Sequence, residues 1–182
     1  EAGSENTLNA AVNGGFGGDT WSVVVGAEQL ATDGSNISRT GDENDDSDIT
    51  TGSLNAQFNP SDRVAVQFGL RTVDAYSQFD AVDFVATGLP TDSDVATDTT
   101  QRLAQLGVTL GASGNRVRHH LNARYFESDN RDLADGVEAA SSGSDRLNIG
   151  YQADIRIGKN LLAIALEHEE TDFEQRGEIV WG

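Results

Sequence analysis

The sequence has no cysteine and no methionine, only 2 prolines, and 12 lysines and arginines against 30 aspartates and glutamates. Without cysteine, neither a disulfide framework nor a thiolate metal site can form. The shortage of basic residues, at a formal net charge of -18, excludes a nucleic-acid surface, because neutralising phosphates calls for lysine and arginine. No apolar run approaches the ~20 residues of a membrane helix. No Gly-x-Ser-x-Gly, phosphate loop or His-Glu-x-x-His occurs, so nothing supports an enzyme. No signal peptide opens the chain, and the absence of methionine even at residue 1 reads as a processed or partial chain. At 37% hydrophobic residues, such an acidic composition borders on that of disordered chains.

What is present argues against disorder. In Arg146–Ile157, RLNIGYQADIRI, the residues Leu147, Ile149, Tyr151, Ala153, Ile155 and Ile157 alternate with Arg146, Asn148, Gly150, Gln152, Asp154 and Arg156. Successive side chains of a strand point to opposite faces, so this segment is a ribbon with one apolar and one polar face. Gly158-Lys159-Asn160 then predicts a tight reversal into LLAIALEHE.

The same alternation recurs along the chain: Leu8, Ala10, Val12; Trp21, Val23, Val25, Ala27; Leu54, Ala56, Phe58; Val64, Val66, Phe68, Leu70; Ala104, Leu106, Val108, Leu110; and Val117, His119, Leu121, Ala123, Tyr125. Together these predict eight antiparallel strands and no helix. The expected connections alternate between short and long. Short turns are predicted at Gly17–Asp19, Asn59–Asp62, Ala112–Asn115 and Gly158–Asn160, and long polar loops at Asp33–Ile49, Phe79–Thr99 and Ser128–Ser144. Short turns at one end and long loops at the other are the pattern of outer-membrane barrels. Phe16, Trp21 and Phe58 beside the short turns, and Tyr76, Phe79, Tyr125, Phe126, Phe173 and Trp181 toward the long loops, suggest two interfacial aromatic belts. Because the first and last connections are short, the chain reads as an interior piece of a larger barrel.

The opening EAGSENTLNAAVNGGFGGDTWSVVVGAEQLATDGSN, with NPSDRVAVQFGLR, FDAVDFVATGLPTDSD and LEHEETDFEQRG, resembles the barrel of TonB-dependent outer-membrane receptors, most of all the cobalamin-receptor-like branch. The resemblance covers nearly the whole chain and implies residues 1–182 as a partial barrel domain, about eight strands of a 22-stranded transmembrane β-barrel. It further implies outer-membrane lipid, a plug domain, the rest of the barrel, TonB acting through that plug, and a nutrient such as a metal-siderophore or cobalamin as partners. The location would be the outer membrane of a Gram-negative bacterium. By the same resemblance Asp46, Asp48, Asp80 and Asp98 correspond to loop aspartates that bind calcium, although Phe79 stands where that family has tyrosine.

Residue chemistry alone sets that calcium expectation against solvated loop acidity. Calcium takes six to eight oxygens, which closely spaced carboxylates supply. Asp42, Asn44 and Asp46 mimic the start of an EF-hand, but Ser47 replaces its glycine and no glutamate follows at the required distance. Arg71, Arg124, Asp154, Arg156, Glu167 and Glu169 fall on polar strand faces, where a network of paired charges is expected. His119 and His120 point to opposite faces and cannot share a metal. The competing reading of the whole chain is a secreted calcium-binding β-sandwich used in adhesion, its apolar faces stacked into a shared core.

Overall fold

The computed structural model describes residues 5–35, 44–82, 86–112 and 114–177. Eight strands follow one another: β1 (Leu8–Gly18), β2 (Trp21–Thr32), β3 (Ser47–Ser61), β4 (Val64–Val82), β5 (Pro90–Leu110), β6 (Val117–Ala134), β7 (Val137–Ile157) and β8 (Asn160–Gly177). They form one antiparallel sheet in chain order, each strand pairing only with its neighbours in sequence. β1 and β8 do not meet, so the sheet is open. No helix occurs among the described residues.

The register explains why alternation gives this sheet and no other. Across β2 to β7, Val25, Leu54, Leu70, Ala104, Tyr125 and Leu147 are successive partners, and so are Val23, Ala56, Phe68, Leu106, Ala123 and Ile149. Apolar residues therefore meet apolar residues along each ladder row. A slip of one residue would turn a strand's whole apolar set onto the polar face.

That apolar face packs against nothing else in the described chain. Among the described residues the buried apolar ones are Ala96 and Ala153, while Val12 is 70% exposed, Leu106 43% and Leu166 68%. The accessible surface is 12477 Å² for 19.3 kDa. A compact globular chain of that mass exposes about 8,500 Å². One layer of sheet with both faces open accounts for the excess. A sandwich needs two sheets, and the strands of the described residues make one.

The connections correct the expected loop lengths. Four turns have two residues: Asp19-Thr20, Asp62-Arg63, Asp135-Gly136 and Gly158-Lys159. Asn59 and Pro60 belong to β3, where the register shifts between Phe58 and Ser61. The expected loop at Ser128–Ser144 is instead hairpin: β6 and β7 continue to Asp135-Gly136, with φ of 52° and 70° at these residues. Positive φ at both central residues is the type I′ geometry that suits hairpins. Likewise Phe79–Thr99 shrinks to residues 83–89 between β4 and β5, and the first long loop ends where β3 begins at Ser47. Polar side chains hid these extensions, because hydrophobic alternation was the signal used to place strand ends. β5 and β7 reach 21 residues, about twice what a bilayer crossing needs.

The apolar band occupies only the end of the sheet next to the two-residue turns at 19–20, 62–63 and 158–159. On β6 it runs from Val117 to Tyr125, about 27 Å along the strand and ~21 Å tall at a 40° tilt. Phe16, Trp21 and Phe58 lie on this face at its turn end, Trp21 directly opposite Phe58, with Phe16 edge-on to Trp21 at 5.9 Å between centroids. The second aromatic belt is thinner than expected. Tyr76 and Tyr125 share the apolar side, but Phe79, Phe126 and Phe173 fall on the other, and Trp181 lies outside the described residues.

Candidate functional site

The polar face behind the apolar band carries the chemistry. Asn55 and Gln57 of β3, Gln67 of β4, Gln105 of β5 and Asn122 and Arg124 of β6 line a hollow of about 430 Å³. Glycines make the wall smooth. Gly69 stands opposite Gln105, Gly107 opposite Gln67 and Asn122, and Gly150 opposite Asn122. A Cβ on Gly69 would sit 2.7 Å from Gln105 Nε2, and one on Gly150 would sit 2.4 Å from Asn122 Oδ1. The amide side chains thus lie across backbone that has no side chain of its own.

Charges divide by face. On the side that continues the apolar face beyond its band, every strand arginine has a carboxylate: Arg102 with Glu127 at 3.4 Å, Arg131 with Asp98, and Arg176 with Glu174 at 3.3 Å. On the polar face, Arg71, Arg124 and Arg146 are exposed and make no ion pair among the described residues. The network of paired charges expected there forms in part: Asp154 is paired with His120, whereas Arg71 and Arg124 have no ion pair among the described residues. Asn148 donates to Glu167 at 2.5 Å and takes that carboxylate for itself.

Nearer the short turns, His120 bridges three strands. Its Nδ1 lies 3.2 Å from the Thr109 hydroxyl and its Nε2 3.2 Å from Asp154 Oδ2, while Gln152 donates to Asp154 at 2.7 Å. His119 points the other way, as alternation requires. It shares a 2.7 Å hydrogen bond with the Tyr151 hydroxyl and stacks on that ring. Each polar group thereby satisfies the other on an otherwise apolar surface.

The four aspartates do not gather at one point. Asp48 accepts from Gln29 at 3.0 Å, and Asp98 is held by Arg131. Both flank Tyr76, the ladder partner of each. Asp46 is tied to β4 through its carbonyl, which accepts from Gln78 N at 2.9 Å. Asp80 sits in the β4 irregularity between Phe79 and Ala81, its Oδ2 enclosed and without a hydrogen-bond partner among the described residues. Beside it, desolvation first, then repulsion from Asp80 and Asp92, raise the Asp45 carboxyl above the usual range. No group of three or more metal-binding side chains is assembled among the described residues. Asp42 lies outside them.

Sequence reasoning placed Arg71 and Arg124 on the polar face and passed over Arg146, Gln67, Gln105 and Asn122 as site residues. The alternation that located the strands already assigned these to the same face. Which of them would find partners depended on register. No protein-family model matches the chain, and a search of curated proteins finds no match.

Proposed function

We propose that this chain forms part of the wall of an outer-membrane transport barrel of the TonB-dependent receptor kind. Such a receptor takes up a large scarce nutrient such as a metal-siderophore or cobalamin. The observation that carries this reading is the single-layered sheet: a continuous apolar band on one face, open to solvent along β1 to β8, backed by a hydrogen-bonding face. Water is a poor solvent for such a band and lipid a good one. The unpaired edges of β1 and β8 fit the same reading, since an open edge in lipid leaves backbone groups unsatisfied and calls for further strands to close the wall. In that reading the polar face looks into the lumen, against a plug domain moved by TonB, and the overshooting hairpins stand outside the bilayer. Calcium belongs to the reading as a cation that would neutralise the crowded carboxylates beside Asp80.

Fractionation tests it. The protein should stay with outer membranes through a high-salt, alkaline wash and leave only with detergent, as a folded species whose gel mobility changes on boiling. Folded protein in the aqueous wash would sink the proposal.

A further inference from the structure

We propose that the polar face selects solutes bearing two or more carboxylate or phosphate groups, held by Arg124 and Arg146 on one side and Arg71 on the other. This rests on the barrel reading and names the substrate class of its lumenal wall.

The argument begins with charge. The chain carries -18 overall, yet behind the apolar band the polar face holds Arg71, Arg118, Arg124, Arg146 and Arg156 against the carboxylates Glu28, Asp154, Glu167 and Glu169. A strongly acidic protein has thus left one surface near neutrality and placed its arginines there. Arg118 is the ladder partner of Asp154, which also receives His120 and Gln152, so that group is internally balanced. Glu167 is engaged by Asn148. Glu169, the ladder partner of Asn148, forms no ion pair among the described residues. Arg71, Arg124 and Arg146 remain with unused donors, whereas the strand arginines on the opposite side are all paired. A guanidinium presents planar, forked donors that match carboxylate and phosphate oxygens in pairs.

Register places the three usefully. Arg124 faces Asn148 and Phe126 faces Arg146, so Arg124 and Arg146 are diagonal neighbours, roughly 7–8 Å apart at Cα. Arg71, Leu103, Phe126 and Arg146 share one ladder row, which sets Arg71 about 14 Å across the wall. Gln105, Asn122, Gln67 and Asn55 floor the hollow beside Arg124 with neutral donors and acceptors. Two cationic points, with Leu103 and Phe126 in the row between them and a neutral hydrogen-bonding floor beside Arg124, complement a solute with anionic groups at both ends. Charged side chains lining a passage set the sign of what it accepts.

The test uses the full-length protein in detergent at low ionic strength, with citrate and pyrophosphate as anionic probes, spermidine as a cationic one and sucrose as a neutral one. Calorimetry should detect citrate or pyrophosphate and neither of the others, the tighter of the two identifying the preferred oxyanion. Arg124→Gln and Arg146→Gln should each weaken that binding about tenfold. Arg102→Gln, on the opposite side, should leave it unchanged and so controls for general loss of charge. Spermidine bound in place of the anions, or equal anion affinity in all variants, overturns the inference. A membrane-embedded protein blind to both anions removes the site and spares the barrel. A water-soluble protein that loses citrate with Arg124 removes the barrel and spares the site.

Discussion

Asp45 shows how a single residue responds to a crowded acidic corner. Its carboxyl is raised from 3.8 by desolvation and by the charges of Asp80 and Asp92. A raised folded pKa means the native state holds its proton longer than the unfolded chain does. Stability from this group is therefore present at low pH and lost as pH rises from 3.8 through the raised value. Asp45→Asn should remove that loss: melting profiles at pH 4 and pH 7 should differ less in the variant than in the parent. An unchanged difference would place the titration elsewhere. Gly136 makes a second residue-scale case. At φ of 70° it closes the β6–β7 hairpin beside Asp135. Gly136→Val should cost ~1–2 kcal/mol locally, because a side chain there crowds the backbone. Amide exchange should quicken around Leu133 and Glu138 while the amides of the apolar band keep their protection.

At the scale of an element, β5 offers adjacent residues on opposite faces. Leu106 belongs to the apolar band and Gln105 to the polar hollow. If lipid covers the band, Leu106→Arg should destabilise the protein by ~2–4 kcal/mol in vesicles, the cost of arginine near a bilayer midplane. Gln105→Arg should stay within ~0.5 kcal/mol, as surface substitutions usually do. Urea unfolding in phospholipid vesicles reads both. Equal small effects would mean that water bathes both faces. β5 also shows what alternation conveys and what it leaves out. Ala104 to Leu110 was legible from hydrophobic periodicity. Pro90 to Thr99 was not, because its threonines and aspartates find their partners across the sheet: Thr97 bonds Asp132 at 3.0 Å and Thr99 bonds Asn130 at 2.8 Å. Asp135-Gly136 was a hairpin signal in plain sight. It was missed because its flanks carry polar residues in place of an alternating apolar pattern.

For the whole molecule, the open meander and its excess surface are two aspects of one fact: the apolar face has no partner within the described chain. The detergent-dependent extraction predicted under the barrel reading rests on this fact. Carboxylates beyond the band on the apolar side pair with Arg102, Arg131 and Arg176, while Arg71, Arg124 and Arg146 on the polar face make no ion pair among the described residues.

The sequence by itself determined the strands, the two faces of each strand and the tight turn at Gly158, because these depend on side-chain alternation and backbone preference within a few residues. Only the tertiary structure decided how far the strands outrun the apolar band, which arginines meet a carboxylate, and that the described strands form one sheet. Those outcomes depend on cross-strand register, which joins residues such as Asp98 and Arg131 from distant parts of the chain, and spacing along a single strand does not encode it.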